Sequence, residues 1–309
     1  MGVFVFLPLV LPLTAWPVAR LAEQHLHPRT ATRLLTAVAG VMALCSTLCL
    51  ALLMVVGTAQ LPGNPLPDGW SDPEVRAAVP YDGVAGRAAI PALAVVLMVC
   101  TRVVVRHHLV RRRARRALAG HDQGVAVVPD TVPYAYALPG GDRDRVVVTT
   151  GLLGVLTGPE RRALFAHERA HLAARHHRHL LVAQLAARAN PFLLPLRTAV
   201  AYSTERWADE EAARSVHDRR VVARAIGKAA LVSRAAPAPT LAGLAAPGPV
   251  PRRVAALLRP APTAHSWPPA GTGIGLAAWA AAVGTAVSAM SSANSAVTMI
   301  RILHDATFL

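Results

Sequence analysis

Two histidines stand four residues apart around a glutamate, His167-Glu168-Arg169-Ala170-His171, inside the helix-forming run ERRALFAHERAHLAAR. On a helix, positions i and i+4 share a face. Both imidazoles can therefore turn toward one ion while Glu168 lies beside them to handle a proton, the pattern of zinc-assisted peptide hydrolysis. With 13 His in 309 residues, chance supplies such a pentapeptide in about one sequence in a hundred. The competing reading is a solvated, His-rich helical face, since His176, His177 and His179 follow closely.

Zinc takes a third protein ligand and leaves a fourth position to water. Downstream lies a second strong helix former, STERWADEEAAR, residues 203 to 214, in which Glu205 and Asp209 are again four apart. One carboxylate can bind the metal while the other accepts the free N–H of a ligand histidine. Glu210 and Glu211 follow directly, so an acidic surface cluster is the alternative; next to the paired histidines the ligand reading wins. An oxyanion also needs a stabiliser. Tyr202 and His217 could reach, and each reads better as structural.

The elements that position these groups are partly legible. Thr157-Gly158-Pro159-Glu160 has the form of a capping box at the start of the metal helix. Before it, Tyr134 to Leu138 and Arg145 to Thr150 read as two strands joined by the turn residues Pro139-Gly140-Gly141-Asp142. Such a hairpin can offer an edge to an extended peptide. After the metal helix, the apolar run His179 to Val200 has Arg188 at its middle and breaks at Asn190-Pro191. It reads as a helix lying on a membrane or packed in a core, turning the chain back toward the metal. His217 to Val232 reads as a basic amphipathic helix, Ala235 to Pro251 as an Ala/Pro/Gly linker, and Arg252 to Leu258 as a short helix.

The run from about Tyr134 to Arg214 resembles the integral-membrane zinc peptidases of the beta-lactam sensor-transducer type (BlaR/MecR-like), and more distantly the HtpX and CAAX-prenyl-protease group. The matching pieces are YAYALPGG, RVVVTTGLL, TGPERRALFAHERAH and ERWAD. The resemblance implies a mainly helical, zincin-like α+β domain. In it His167, His171 and Glu205 bind Zn2+, Glu168 is the catalytic base and Asp209 supports a ligand. It also implies an endopeptidase acting on a protein or peptide, such as a cytoplasmic transcriptional repressor or the chain itself. Proteins of that type carry a penicillin-binding domain after the last span. Only Arg301 to Leu309 follow here, so sensing through such a domain is not expected. A membrane quality-control protease would use the same residues, and a catalytically silent scaffold is the reading of a different class.

Composition points to a membrane. Apolar residues make up 53% and the mean hydropathy is +0.39. Four stretches approach the 17–25 or so apolar residues that span a bilayer: Val3 to Ala19, Leu34 to Gly57, Ala88 to Val105, and one within Gly273 to Ile300. The basic residues set the orientation. Arg20 to Arg33 and the dense run Arg106 to Arg116 are expected inside, and the acidic loop from Thr58 to Arg87 outside. The expected organisation is three spans in 1–105, a cytoplasmic peptidase domain in 106–272, a fourth span in 273–300 and an external tail in 301–309. Residues 106–272 hold 25 of the 32 Lys and Arg but 11 of the 17 Asp and Glu, nearly all of the +15 net charge. With little aromatic interleaving and no DNA-reading motif, anionic lipid head groups are the expected partner and nucleic acid is not. Cys45, Cys49 and Cys100 fall within expected spans and read as small buried hydrophobes.

Overall fold

The structure, a computed structural model, describes residues 6–63, 66–71, 75, 82–118, 124–140, 144–233, 249–262 and 272–307. Outside them lie Gly141 and Asp142 of the expected turn, part of the acidic loop, most of the expected linker and the approach to the last helix.

Among the described residues two helices are long and apolar enough to cross a membrane, α3 (Pro28–Ala59) and α4 (Asp82–Ala117). Proline in the first turn of α3 sacrifices no helical hydrogen bond. Along α4, Val95, Leu97, Met98 and Val105 are exposed, an apolar surface of the kind a bilayer covers. The two helices meet where Gly57 faces Gly86. A Cβ on Gly57 would fall 2.2 Å from the Gly86 carbonyl carbon, so only hydrogen fits. The fourth expected stretch lies within a single helix, Gly273–Thr307, whose Met299 packs with Cys49, Leu53 and Val56 of α3.

The first expected stretch is helical in three consecutive pieces: α1 (Leu7–Val10), a 3-10 turn (Leu11–Thr14) and α2 (Ala15–His25). Pro8, Pro12 and Pro17 lack the N–H that a continuous helix needs.

A three-stranded sheet follows α4. Strand β3 (Arg145–Thr149) is central, parallel to β1 (Val125–Val128) and antiparallel to β2 (Ala135–Leu138). The expected hairpin is there, with Ala137 opposite Val146, and β2 is left at the edge. Arg111 and Arg115 of α4 both donate to the Pro139 carbonyl at 2.9 Å, tying the long helix to the end of β2.

From β3 the chain enters α5 (Thr150–Val155) and α6 (Gly158–Ala173). The capping box forms: Glu160 Oε2 accepts the Thr157 N–H at 2.8 Å and also Lys228 Nζ at 2.8 Å. Arg175, left-handed at φ 52°, then reverses the chain into α7 (His176–Ala189). A 3-10 turn at Pro191–Leu193, capped by Asn190 Oδ1 on the Phe192 N–H, leads to α8 (Leu194–Val216). The apolar run 179–200 thus packs in a core. Ala183, Ala186, Leu196 and Val200 sit against Ala15 and Ala19 of α2 and Leu35, Val38 and Met42 of α3. This cluster draws residues from both sides of the boundary expected at 105/106. Further along, α8 packs on α6, and α9 (Arg219–Ser233) and α10 (Val250–Leu257) close the far side around Ala212, Val222 and Leu257.

Candidate metal centre

His167 and His171 lie one turn apart on α6 with their Nε2 atoms 3.1 Å from each other. Helix α8 crosses them and brings in Glu205. Its Oε2 is 3.5 Å from His167 Nε2 and its Oε1 is 3.5 Å from His171 Nε2. In a tetrahedral site with bonds of about 2.0–2.1 Å, two donors stand about 3.3 Å apart. The His–His separation and the two His–carboxylate separations, each to a different Glu205 oxygen, bracket that figure, and two imidazoles with a carboxylate are zinc donors. Among the described residues these three form a group able to hold a metal ion.

Behind the donors lies a fully buried layer. Asp209 has no exposure and its Oδ1 is 3.0 Å from His167 Nδ1, the supporting position that the i, i+4 spacing with Glu205 predicts. Two further residues enter that the sequence did not single out. Arg253 on α10 donates from Nε to Asp209 Oδ2 at 2.8 Å and from Nη2 to Oδ1 at 2.6 Å. Its Nη1 lies 2.8 Å from Glu205 Oε2. His176, first residue of α7, sets its Nδ1 2.9 Å from His171 Nδ1, and its ring centroid lies 4.7 Å from that of Trp207 on α8.

The electrostatics favour a cation between the donors. Burial alone would lower His167, but Asp209 and Glu205 outweigh it and push the imidazole up to about 10. Burial pushes His171 down to about 4, so that ring stays neutral with a lone pair to give. Burial also works to raise Glu205 and Asp209, yet Arg253 and the imidazoles hold both carboxyls below their ordinary values. The pocket therefore sets two ionised carboxylates against the Arg253 guanidinium and the His167 imidazolium, and a metal ion at His167 would replace that proton as the cation between the donors.

Glu168 is buried beside His167. Desolvation, helped by Glu205, lifts its carboxyl to about 7, against the pull of His167, Arg253 and the Ala137 N–H on β2. A carboxyl poised there can both accept and release a proton near neutrality. The two expected oxyanion candidates lie on α8 and at its end. Tyr202 is buried on α8 under the Arg252 guanidinium, 4.3 Å from its ring centroid. His217 is exposed at the left-handed end of α8, twelve residues beyond Glu205, or about 18 Å along the helix.

No curated protein and no solved structure matches this chain. Residues 105–188 match the family model of peptidase family M48, a segment that runs from α4 through the sheet and the paired-histidine helix into α7 and ends before Glu205.

Proposed function

We propose that the chain is a zinc-dependent endopeptidase of the membrane, with His167, His171 and Glu205 as metal ligands and Glu168 as catalytic base. One observation carries the reading: donors from two crossing helices converge at 3.1, 3.5 and 3.5 Å, with a carboxyl held near 7 beside them. Bound zinc supplies a Lewis acid that polarises the scissile carbonyl and makes water a usable nucleophile near neutral pH. Glu168 takes the proton from the attacking water and passes it to the departing amine. Asp209, 3.0 Å from His167 Nδ1, is placed to keep a proton on that nitrogen, so that the Nε2 proton is the one a metal ion would displace. The free edge of β2 suits an extended substrate that adds by main-chain hydrogen bonds, and the Ala137 N–H on that strand draws on Glu168 itself. Base and substrate strand therefore share one support.

The basic run at the end of α4 leads directly into the segment that carries the site, which supports a cytoplasmic location under the positive-inside rule and contact with anionic lipid. Multi-pass anchoring through α3, α4 and the last helix follows the hydropathy. The resemblance to the sensor-transducers supports regulatory cleavage, of a cytoplasmic repressor or of the chain itself.

The test compares zinc-loaded wild type with Glu168→Gln in detergent, reading self-cleavage and cleavage of fluorescein-casein. The reading expects the variant to keep its zinc and lose at least about 10²-fold in rate. Equal rates in the two proteins would refute Glu168 as base. Broad degradation of casein would favour quality control over a dedicated regulatory substrate.

A further inference from the structure

His176 is 1% exposed, yet the residue is polar and both of its nitrogens must be accounted for. Its Nδ1 is 2.9 Å from His171 Nδ1. Its Nε2 is buried with no hydrogen-bond partner among the described residues. The face of the ring is held by Trp207, and its place at the start of α7 is set by the left-handed Arg175 that ends α6. A leucine would fill this volume without the cost of an unpaired buried polar atom, about 1–3 kcal/mol. The ring's Nδ1 is committed to a single metal-ligand candidate, His171.

Only one proton can lie between two Nδ1 atoms at that distance. If His176 donates it, His171 carries its own proton on Nε2, which faces His167 Nε2 and Glu205 Oε1 and can then bind no metal. If His171 donates it, Nε2 turns a lone pair toward the ion. The nitrogen opposite the metal thus decides whether His171 is a ligand. We propose that His176 is a positioning residue that fixes His171 in its metal-binding tautomer, its Nδ1 accepting the His171 Nδ1–H. The two ligand histidines are then held by different chemistry: a carboxylate behind His167 and a neutral imidazole behind His171.

The proposal rests on the zinc reading above, and its test separates the two. Zinc affinity is measured on the full chain in detergent by competition with a chromophoric chelator, for wild type, His176→Leu, His176→Asn and His176→Gln. Leucine removes the acceptor and is expected to weaken zinc about 10–100-fold. Asparagine places its Oδ1 where the ring Nδ1 stood and should recover most of that loss. Glutamine reaches instead toward the Nε2 position, away from His171, and should bind as weakly as leucine. Cobalt-substituted protein reports the same order in its visible ligand-field bands, wild-type-like for asparagine and displaced for glutamine. A merely structural His176 would lower the melting temperature in all three variants without this order. Asparagine no tighter than glutamine, or leucine equal to wild type, overturns the proposal and leaves the zinc site standing. If the leucine variant fails to fold, asparagine against glutamine still decides. Wild type that binds no zinc overturns both.

Discussion

Replacing Arg253 with alanine leaves Asp209 and Glu205, 0% and 8% exposed, without the guanidinium that touches them at 2.6, 2.8 and 2.8 Å. Two buried anions left with the His167 imidazolium as counter-charge cost more than a missing surface contact. Breaking a buried pair from one side typically costs about 3–5 kcal/mol. At about 2 °C per kcal/mol for a chain of this size, the melting temperature in a chelator should fall by about 6–10 °C. Arg252, the adjacent residue, provides the control. Its ion pair with Glu23 spans a similar 2.9 Å, but its side chain is half exposed. Exposed pairs are worth about 0.2–1 kcal/mol and the stacking of Arg252 over the Tyr202 ring about 0.5–1 kcal/mol more, so Arg252→Ala should melt within about 4 °C of wild type. Arg253→Lys restores charge but not the fork that grips two carboxylates and should fall between. Excess zinc should narrow the gap, because the ion takes over part of the guanidinium's charge at Glu205. The assay is thermal unfolding in detergent at one fixed scan rate, with and without chelator. If Arg253→Ala and Arg252→Ala melt together in chelator, the buried charge layer does not hold the site as argued.

Glu160 gives a pH dependence away from the metal. Burial would raise its carboxyl, but Lys228 and Thr157 hold it below the ordinary value. A depressed folded value means stability that is present above about pH 4.5 and lost as pH falls through the folded value. Glu160→Gln should cost about 1–2 kcal/mol at pH 7 and lose less than wild type between pH 5 and 3, read by melting at both ends of that window. Gly57→Ala should destabilise the α3–α4 crossing by about 1–3 kcal/mol through overpacking, since its Cβ would meet Gly86 at 2.2 Å; Gly154→Ala, whose Cβ meets nothing within 4 Å, should show no such loss.

The parts of the site that share a helix were legible, because helical spacing alone puts His167 with His171 and Glu205 with Asp209. That the two pairs converge follows from the α7–α8 reversal at Asn190-Pro191, which the sequence also marks. Arg253 was not legible. It comes 44 residues after Asp209, beyond a linker-like stretch, in a short basic helix that reads as solvated surface, and arginine is rarely buried. His176 was read with His177 and His179 as a polar face. Only the left-handed Arg175, with no glycine or asparagine to announce it, turns this one ring inward over His171. Strand β1 is four apolar residues long, too short for any periodicity to separate strand from helix. The N-terminal run is apolar enough to suggest a span, and its hydropathy does not register the 3-10 turn that its prolines bring.

The most direct test of the zinc-peptidase account is the metal content of the detergent-purified chain beside its Glu205→Ala variant, after both have been stripped and reloaded with zinc. The account predicts close to one zinc per wild-type chain and its loss, or a sharp weakening, when the third ligand is removed. A wild type that takes up no zinc, or a variant that holds it as tightly, would contradict a metal site built from His167, His171 and Glu205.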